Sequence, residues 1–453
     1  MSKTVTLNMG AALVKFLQAQ HTRRDGTEHR LINGVWGIFG HGNVTGFGQA
    51  LEEHGGRALP YFQAKNEQAM VHAAIAYAKA RQRMSAFACT SSIGPGATNI
   101  ITGAAVASVN RLPVLILPGD IFASRRPGPV LQQLEFPGSQ DVSVNDCFRP
   151  VSKYWDRINR PEQILTALPE AMRILADPAE TGAVTIAMPE DVQAESYAFP
   201  LNFFEKRVYN VERPSCSTEN LRAAAALLRA ARRPLLVAGG GVHYSDATAA
   251  LEKFATATGI AVAVTQAGKG ALLDAHPSCL GAIGVTGTAS ANAIASEADV
   301  VICVGTRLND FTTASKTQFQ NPRVRFVAIN INAFDARKHG ALPLVGDART
   351  ILGHLTRALA GWRAPAAHRA AVQRAREAWS VTRAALVAPK RGVPLTQAQL
   401  IDEVNRTCGV SGTAVHASGG IPGDIQNSGA RRRPTTTTPN TATRAWDMKS
   451  PAH

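Results

Sequence analysis

No two cysteines in this 453-residue sequence lie close enough to form a CxxC pair; Cys89, Cys147, Cys216, Cys279, Cys303 and Cys408 are scattered singly. That spacing excludes a zinc knuckle, argues against a disulfide framework and fits reduced thiols. Apolar runs stop short of the length that crosses a bilayer, and MSKTVTLNMG lacks the basic-then-apolar pattern of a secretion signal. Acidic residues are few: 33 Asp+Glu stand against 48 Lys+Arg, giving a net charge of +15. A basic balance can serve nucleic acid. Here the arginines are spread out, apart from a cluster between Arg357 and Arg391 and the triplet Arg431–Arg433, and no aromatic-interleaved basic stripe accompanies them. The expectation is a soluble, cytoplasmic protein with no nucleic-acid and no membrane partner. No Gly-Lys-Ser/Thr loop occurs, which excludes a Walker-type nucleotide site.

What the chain does have is a globular composition, 45% hydrophobic and 18% charged, over a length that calls for two or three domains. Short apolar runs alternate with helical patterns. VWGIFG, RALPYF, MSAFACT, LPVLILPGD and GAVTIAMP read as strands, with helices over EQAMVHAAIAYAKAR, which Asn66 can cap, and ATNIITGAAVASVNR. Continuous apolar strands are those of a sheet covered on both faces, so residues 1–195 are expected to form a parallel, doubly wound α/β domain. The polar, proline-bearing stretch FFEKRVYNVERPSCS reads as a linker. A second α/β domain follows over 213–362, with strands in RPLLVAGGGV, IAVAVTQ, DVVICVG and VRFVAIN. An Arg/Ala-rich helical linker covers 363–394. Residues 395–426, with a helix, a strand-like TAVHAS and a Gly-Pro turn in GGIPGD, look like the opening of a third α/β domain.

Four places carry residue types suited to chemistry. His41, Gly42 and Asn43 follow the first strand of the parallel set, where open sheets place ligands. Glu67 starts a helix, where a carboxylate is a favourable dipole partner; the functional alternative is a buried acid whose apolar setting raises its pKa for proton exchange with a bound heterocycle. In SSIGPGATN, Gly94 and Gly96 flank a proline ahead of Asn99, either as a plain turn or as backbone that a ligand can approach closely. Gly239–Gly241 follow a strand without the third glycine or the acid of a dinucleotide fingerprint.

The order GIFGHGN, NEQAMVHAAIAYAKA, TSSIGPGATNIITGAA, NRLPVLILPGD resembles the pyrimidine-binding domain of thiamine diphosphate enzymes, in the branch that holds the acetohydroxyacid synthases. Within it, FGHGNVTGFGQAL and NRLPVLILPGDIFASRRPGPVLQQLE look most like the trihydroxycyclohexanedione hydrolases of inositol catabolism. The resemblance implies a C–C bond hydrolase that opens a polyhydroxy cyclic 1,2-diketone to 5-deoxyglucuronic acid with thiamine diphosphate and Mg²⁺. It implies that Glu67 holds the cofactor's aminopyrimidine and promotes its imino form. It further suggests cofactor contacts at His41, Gly42, Asn43, Gly94, Gly96 and Asn99, substrate contacts at Gln132 and Gln133, and a homodimer or homotetramer. Alternatives are an acetohydroxyacid synthase-like carboligase, a non-catalytic remnant that associates with an intact paralogue, and an NAD-binding protein built on the GGG loop.

The family's Gly-Asp-Gly motif for Mg²⁺ and diphosphate does not occur in these residues; Asp424 in GGIPGDIQN lacks the second glycine. From 427 to 453 the sequence turns to RRRPTTTTP and loses its apolar periodicity. Trp446 and Met448 have one codon each, and a one-base shift there forces Gly, then Tyr or His, then Glu, consistent with the family string EYGYSCMGYEIPG. The expectation is an out-of-frame tail, a missing diphosphate domain and hence an inactive chain; the competing expectation is a solvated Thr/Pro-rich tail.

Overall fold

A computed structural model describes residues 3–389, 392–408 and 420–428. They form two compact units, one from the start of the chain through Glu212 and one beginning at Arg213. Each is built on a six-stranded, all-parallel sheet with helices on its faces.

The strands of the first unit are β1 (Thr4–Asn8), β2 (Gln20–Arg24), β3 (Thr27–Arg30), β4 (Ile32–Ile38), β5 (Tyr61–Gln63), β6 (Ala86–Ser91), β7 (Val114–Asp120), β8 (Tyr154–Arg157), β9 (Ala183–Pro189), β10 (Ser196–Pro200) and β11 (Arg207–Asn210). Its main sheet runs β5-β4-β6-β7-β9-β8. β6, β7 and β9 are buried at every residue, as their unbroken apolar runs predict. The short outer strands are not apolar in sequence. β1 pairs antiparallel with β10, and β2 pairs with β3 and, in parallel, with β11. Part of the stretch read as a linker from Phe203 is therefore strand, held by a partner nearly two hundred positions earlier. No local pattern announces such a pairing.

In the second unit, β12 (Pro234–Ala238), β13 (Ala261–Val264), β14 (Cys279–Ala282), β15 (Val300–Val304), β16 (Arg325–Asn330) and β17 (Leu342–Val345) lie in the order β14-β13-β12-β15-β16-β17. Successive residues divide between two cores. Leu236, Ala238, Ile302 and Val304 join one face, and Leu235, Val237, Val301 and Cys303 the other. This is the two-residue period of a strand, hidden in sequence because both faces are apolar. The long Ala366–Val387 helix is present as expected. Gly420–Ser428 is helix where a Gly-Pro turn was expected. Pro422 sits in its first turn, where a missing N–H removes no intrahelical bond. TAVHAS and the segment 429–453, which holds the tail, lie outside the described residues.

Candidate active site

β5 lies on one side of β4 and β6 on the other, so the chain reverses direction across the sheet at β4. The loops leaving β4 and β6 at their carboxyl ends meet there, Gly42 N donating to Ser92 Oγ at 3.3 Å, and border the crevice outside the strand ends that is the usual ligand position in a doubly wound sheet. The loop after β4 is His41-Gly42-Asn43, continuing into a π-helical turn over Val44–Gly48; the loop after β6 ends in Gly94, Pro95 and Gly96. Two sequence motifs more than fifty residues apart thus become the walls of one site.

Glu67 reaches this crevice from the first turn of helix Glu67–Ala80, which is capped by Asn66 Oδ1 accepting from Ala69 N at 2.9 Å. Its Oε2 accepts a hydrogen bond from Asn99 Nδ2 at 2.7 Å, on the neighbouring helix Pro95–Asn110. The reason the two side chains meet lies one turn further along. Val71 follows Glu67, and Gly103 follows Asn99, each by four positions. A Cβ on Gly103 would stand 2.6 Å from Val71 Cγ1, so only glycine allows the helices to approach this closely. Gly103→Val is therefore expected to push the helices apart, at about 1–3 kcal/mol of overpacking, and to release Asn99 from Glu67. Denaturant unfolding and the Asn99 side-chain amide resonances check both effects; unchanged amide resonances would refute the coupling.

Gly96 sits against the same carboxylate, its hypothetical Cβ 3.4 Å from Glu67 Oε1, so a larger side chain would fill the space beside the acid. Gly94 has φ +68°, and a Cβ there would meet the Gln132 carbonyl oxygen at 2.2 Å. This glycine is required both by its backbone conformation and by the loop packed on it. Glu67 itself is half-buried and hydrogen-bonded, not enclosed in the apolar setting expected from its functional reading.

The remaining predicted residues divide into two kinds. Asn43 is 1% exposed, and its side chain is committed to the loop: Nδ2 donates to Thr90 Oγ1 (3.0 Å) and Ile38 O (3.3 Å), and Oδ1 accepts from Gly40 N (3.0 Å). Gly42 lies against Ile93, with no room for a Cβ. His41 is half-buried, and its Nε2 lies 2.6 Å from the Leu131 carbonyl oxygen, which can only accept, so Nε2 carries the proton. Gln132 is exposed on the same 121–143 loop, and Gln133 Oε1 closes its own turn by accepting from Val130 N at 2.9 Å. Glu67, Gly96 and Asn99 thus form one cluster, while His41, Gly94 and the glutamines meet around the 121–143 loop.

Sequence reading missed a third wall. After β9 comes Glu190-Asp191-Val192-Gln193. Gln193 Nε2 donates to Gly42 O (2.8 Å) and Met188 O (2.9 Å), and its Oε1 accepts from Phe47 N (3.2 Å). Asp191 accepts from Ala123 N and Ser124 N, both at 3.0 Å, fixing the start of the 121–143 loop. Burial pushes the Glu190 carboxyl pKa above its ordinary value, nearby His41 opposes the rise and Asp191 adds to it. The available signal was positional: a cluster of polar residues just past an apolar strand, on the same sheet edge as the other loops. The base of the 121–143 loop is anchored by Arg157, whose Nε donates to the fully buried Asp120 at 2.7 Å and whose Nη2 reaches Ser143 Oγ (2.9 Å) and Asp146 (3.3 Å).

At the GGG loop of the second unit the corresponding crevice is closed. Gly241 N donates to Gly305 O at 3.0 Å, and Cβ atoms on Gly239 or Gly241 would lie 2.5 Å from the Gly305 backbone. Backbone packs on backbone where a dinucleotide would enter. Among the described residues no group of three or more His, Cys, Asp or Glu could hold a metal ion, and no helix is long and apolar enough to cross a membrane.

Comparison with known proteins bears on both units. Residues 28–139 match the family model described as thiamine pyrophosphate enzyme, N-terminal TPP binding domain, and residues 221–355 match thiamine pyrophosphate enzyme, central domain. The chain is 45% identical to 3D-(3,5/4)-trihydroxycyclohexane-1,2-dione hydrolase 1 of a Bacillus cereus strain, over 96% of this chain and 71% of that protein. It is 44% identical to the 3D-(3,5/4)-trihydroxycyclohexane-1,2-dione hydrolase of Bacillus anthracis, with the same coverage.

Proposed function

This chain belongs to the thiamine pyrophosphate enzymes, and from that membership we propose that its reaction is the hydrolytic opening of 3D-(3,5/4)-trihydroxycyclohexane-1,2-dione to 5-deoxyglucuronic acid in inositol catabolism. The relatives named for that hydrolase support the substrate. The observation that carries the site is the Glu67–Asn99 pair beside Gly96 at the β4/β6 crevice. A planar heterocycle fits there: an oriented carboxylate meets its edge, and a glycine leaves the adjoining space open. When bound, thiamine diphosphate supplies a nucleophilic carbon and an electron sink for breaking the bond between the two carbonyl carbons. Glu67 holds or takes up the proton on the aminopyrimidine ring, and Asn99 fixes the rotamer in which it does so. Gly94 lets the 121–143 loop pack on the turn, and Gln132 and Gln133 on that loop are proposed to meet the polyhydroxy ring.

The Mg²⁺ and diphosphate are not assigned to any described residue. We propose that the 453-residue polypeptide by itself holds the cofactor weakly and turns over little dione. Calorimetric titration with thiamine diphosphate and Mg²⁺, run beside a dione-consumption assay, tests this. Tight binding with ring opening would overturn the inactivity, whereas pyruvate-dependent carboligation would overturn the substrate.

A second copy of the chain is proposed to cover this edge of the sheet. Leu131 (72% exposed), Leu134 and Phe136 (56%) on the 121–143 loop and Val44 on the opposite wall are unpartnered apolar side chains of the kind that mark interfaces. The double variant Leu134→Ser, Phe136→Ser is expected to shift the chain toward monomer in sedimentation velocity. An unchanged association state would place the interface elsewhere.

A further inference from the structure

Gln193 is almost fully buried, and both hydrogens of its carboxamide are in use. Nε2 donates to Gly42 O and to Met188 O at the end of β9, while Oε1 accepts from Phe47 N. Gly42 and Phe47 lie five positions apart, the spacing that a π-helical hydrogen bond closes, and the π-helical turn Val44–Gly48 begins between them. One side chain therefore bridges the two ends of an irregular turn and ties both to the sheet. Two carbonyls on one side and an N–H on the other admit a single orientation of the amide. The fit is close: a Cβ on Gly46 would stand 2.2 Å from Gln193 Cβ. A glutamate of the same length would have no hydrogen to give the two carbonyls.

The helix that carries Gln193, Glu190–Ala194, also holds the other wall. Asp191 accepts from Ala123 N and Ser124 N at the start of the 121–143 loop, and further along that loop Leu131 O receives the His41 Nε2 hydrogen. The His41 turn and the loop facing it thus hang from residues two positions apart. We propose that Gln193 is a positioning residue: it fixes the turn at the distance from the 121–143 loop at which His41 donates to Leu131. With Nε2–H given to that carbonyl, the neutral ring keeps Nδ1 as its acceptor, which suits a ligand hydroxyl. The ligand class is a small hydroxylated ketone, and this assignment rests on the β4/β6 crevice being the site proposed above.

The deciding measurement uses the cofactor-free 453-residue chain, labelled in its histidine rings, with the His41 signals assigned by their loss in His41→Asn. Ring-nitrogen NMR of the parent is expected to show neutral His41 as the Nε2–H tautomer alone. Gln193→Met keeps the length of the side chain and none of its hydrogen bonds. In that variant His41 is expected to lose its single tautomer and show both. The Asn99 side-chain amide resonances, which report on the Glu67 pair, should stay as in the parent, because Gln193 spends its carboxamide on the other wall.

A merely structural Gln193 would lower the unfolding midpoint and leave the ring of the folded molecule as it was. An unaltered tautomer in Gln193→Met therefore overturns the proposal, and so does a parent ring found as Nδ1–H. Gly46→Ala approaches the same contact from the opposite side, since its Cβ would overlap Gln193, and should bring the same loss. It gives the second reading where the methionine variant does not fold. Failure of the loaded enzyme to open the dione would sink the proposed function and leave the tautomer result standing, so the two can fail separately.

Discussion

Glu67→Gln is expected to reduce dione turnover by about 10²–10⁴-fold, the range contributed by a positioned proton-transfer group, with little change in stability. Glutamine keeps the length of the side chain and can still accept from Asn99 Nδ2, so the Glu67–Asn99 contact and the helix pair behind it should survive. What it loses is the ability to hold and release a proton. The assay is best made on a chimera of residues 1–426 with the C-terminal part of the Bacillus cereus relative, which aligns with this chain over 71% of its length. Parent and variant chimeras should bind thiamine diphosphate with Mg²⁺ at similar affinity and differ in kcat. If the glutamine chimera turns over dione within a few-fold of the parent, Glu67 is not the proton-transfer group and the assignment of this crevice fails. Asn99→Ala then separates orientation from chemistry: it should lower kcat by less than Glu67→Gln, since the acid remains but its rotamer is free.

Arg157→Met is expected to destabilise the first unit by roughly 3–5 kcal/mol, the usual consequence of removing one partner from a buried ion pair. Asp120 is fully buried at the end of β7, and Arg157 Nε meets it at 2.7 Å. Methionine would fill much of the volume and leave the carboxylate without its cation. The same guanidinium donates to Ser143 Oγ and Asp146 Oδ2, so the base of the 121–143 loop should loosen as well. Asp120→Asn combined with Arg157→Met should recover a large part of the loss, because no charge is then stranded. Chemical denaturation of the parent and the two variants measures this, and a single variant that costs under ~1 kcal/mol would show the pair to be dispensable.

A pH signature accompanies the pair. Burial tends to raise the Asp146 pKa, but the Ser143 backbone N–H, Arg157 and Arg149 together hold it below its ordinary 3.8. A depressed carboxyl contributes stability above its unfolded value and loses it as pH falls through the folded one. The parent should therefore lose loop protection below about pH 3.8, with Asp146 partly exposed and its contribution reduced by solvent. In Arg157→Met that loss should be complete at higher pH, since one of the interactions that lower the Asp146 pKa is gone.

Much of the site was legible in the residues. Glu67 behind Asn66, the glycines around Pro95 and the His41-Gly42-Asn43 turn each lie at the end of an element that the apolar pattern places correctly. The polar stretch after β9 was legible only as the end of a strand. Asp191 and Gln193 come about 150 positions after His41, and nothing local says that their side chains return to Ala123, Gly42 and Phe47. Asn43 shows the opposite error of emphasis: a polar residue in a promising loop whose amide is occupied with Thr90, Ile38 and Gly40. Whether a polar side chain faces a ligand or its own backbone is decided by neighbours that the sequence does not specify.

By itself the sequence determined the α/β class and the buried central strands with their intervening helices, because apolar periodicity and capping act within a few residues of where they are read. Strand order belonged to the tertiary structure. It puts β5 and β6 on opposite sides of β4, brings the loops after β4 and β6 together there, and in the second unit packs Gly239–Gly241 on Gly305. The distance from Glu67 to Asn99 was likewise set in three dimensions, by the single missing side chain at Gly103 that lets two helices touch. Local free energies choose elements; only packing between distant parts of the chain fixes which of their ends come together.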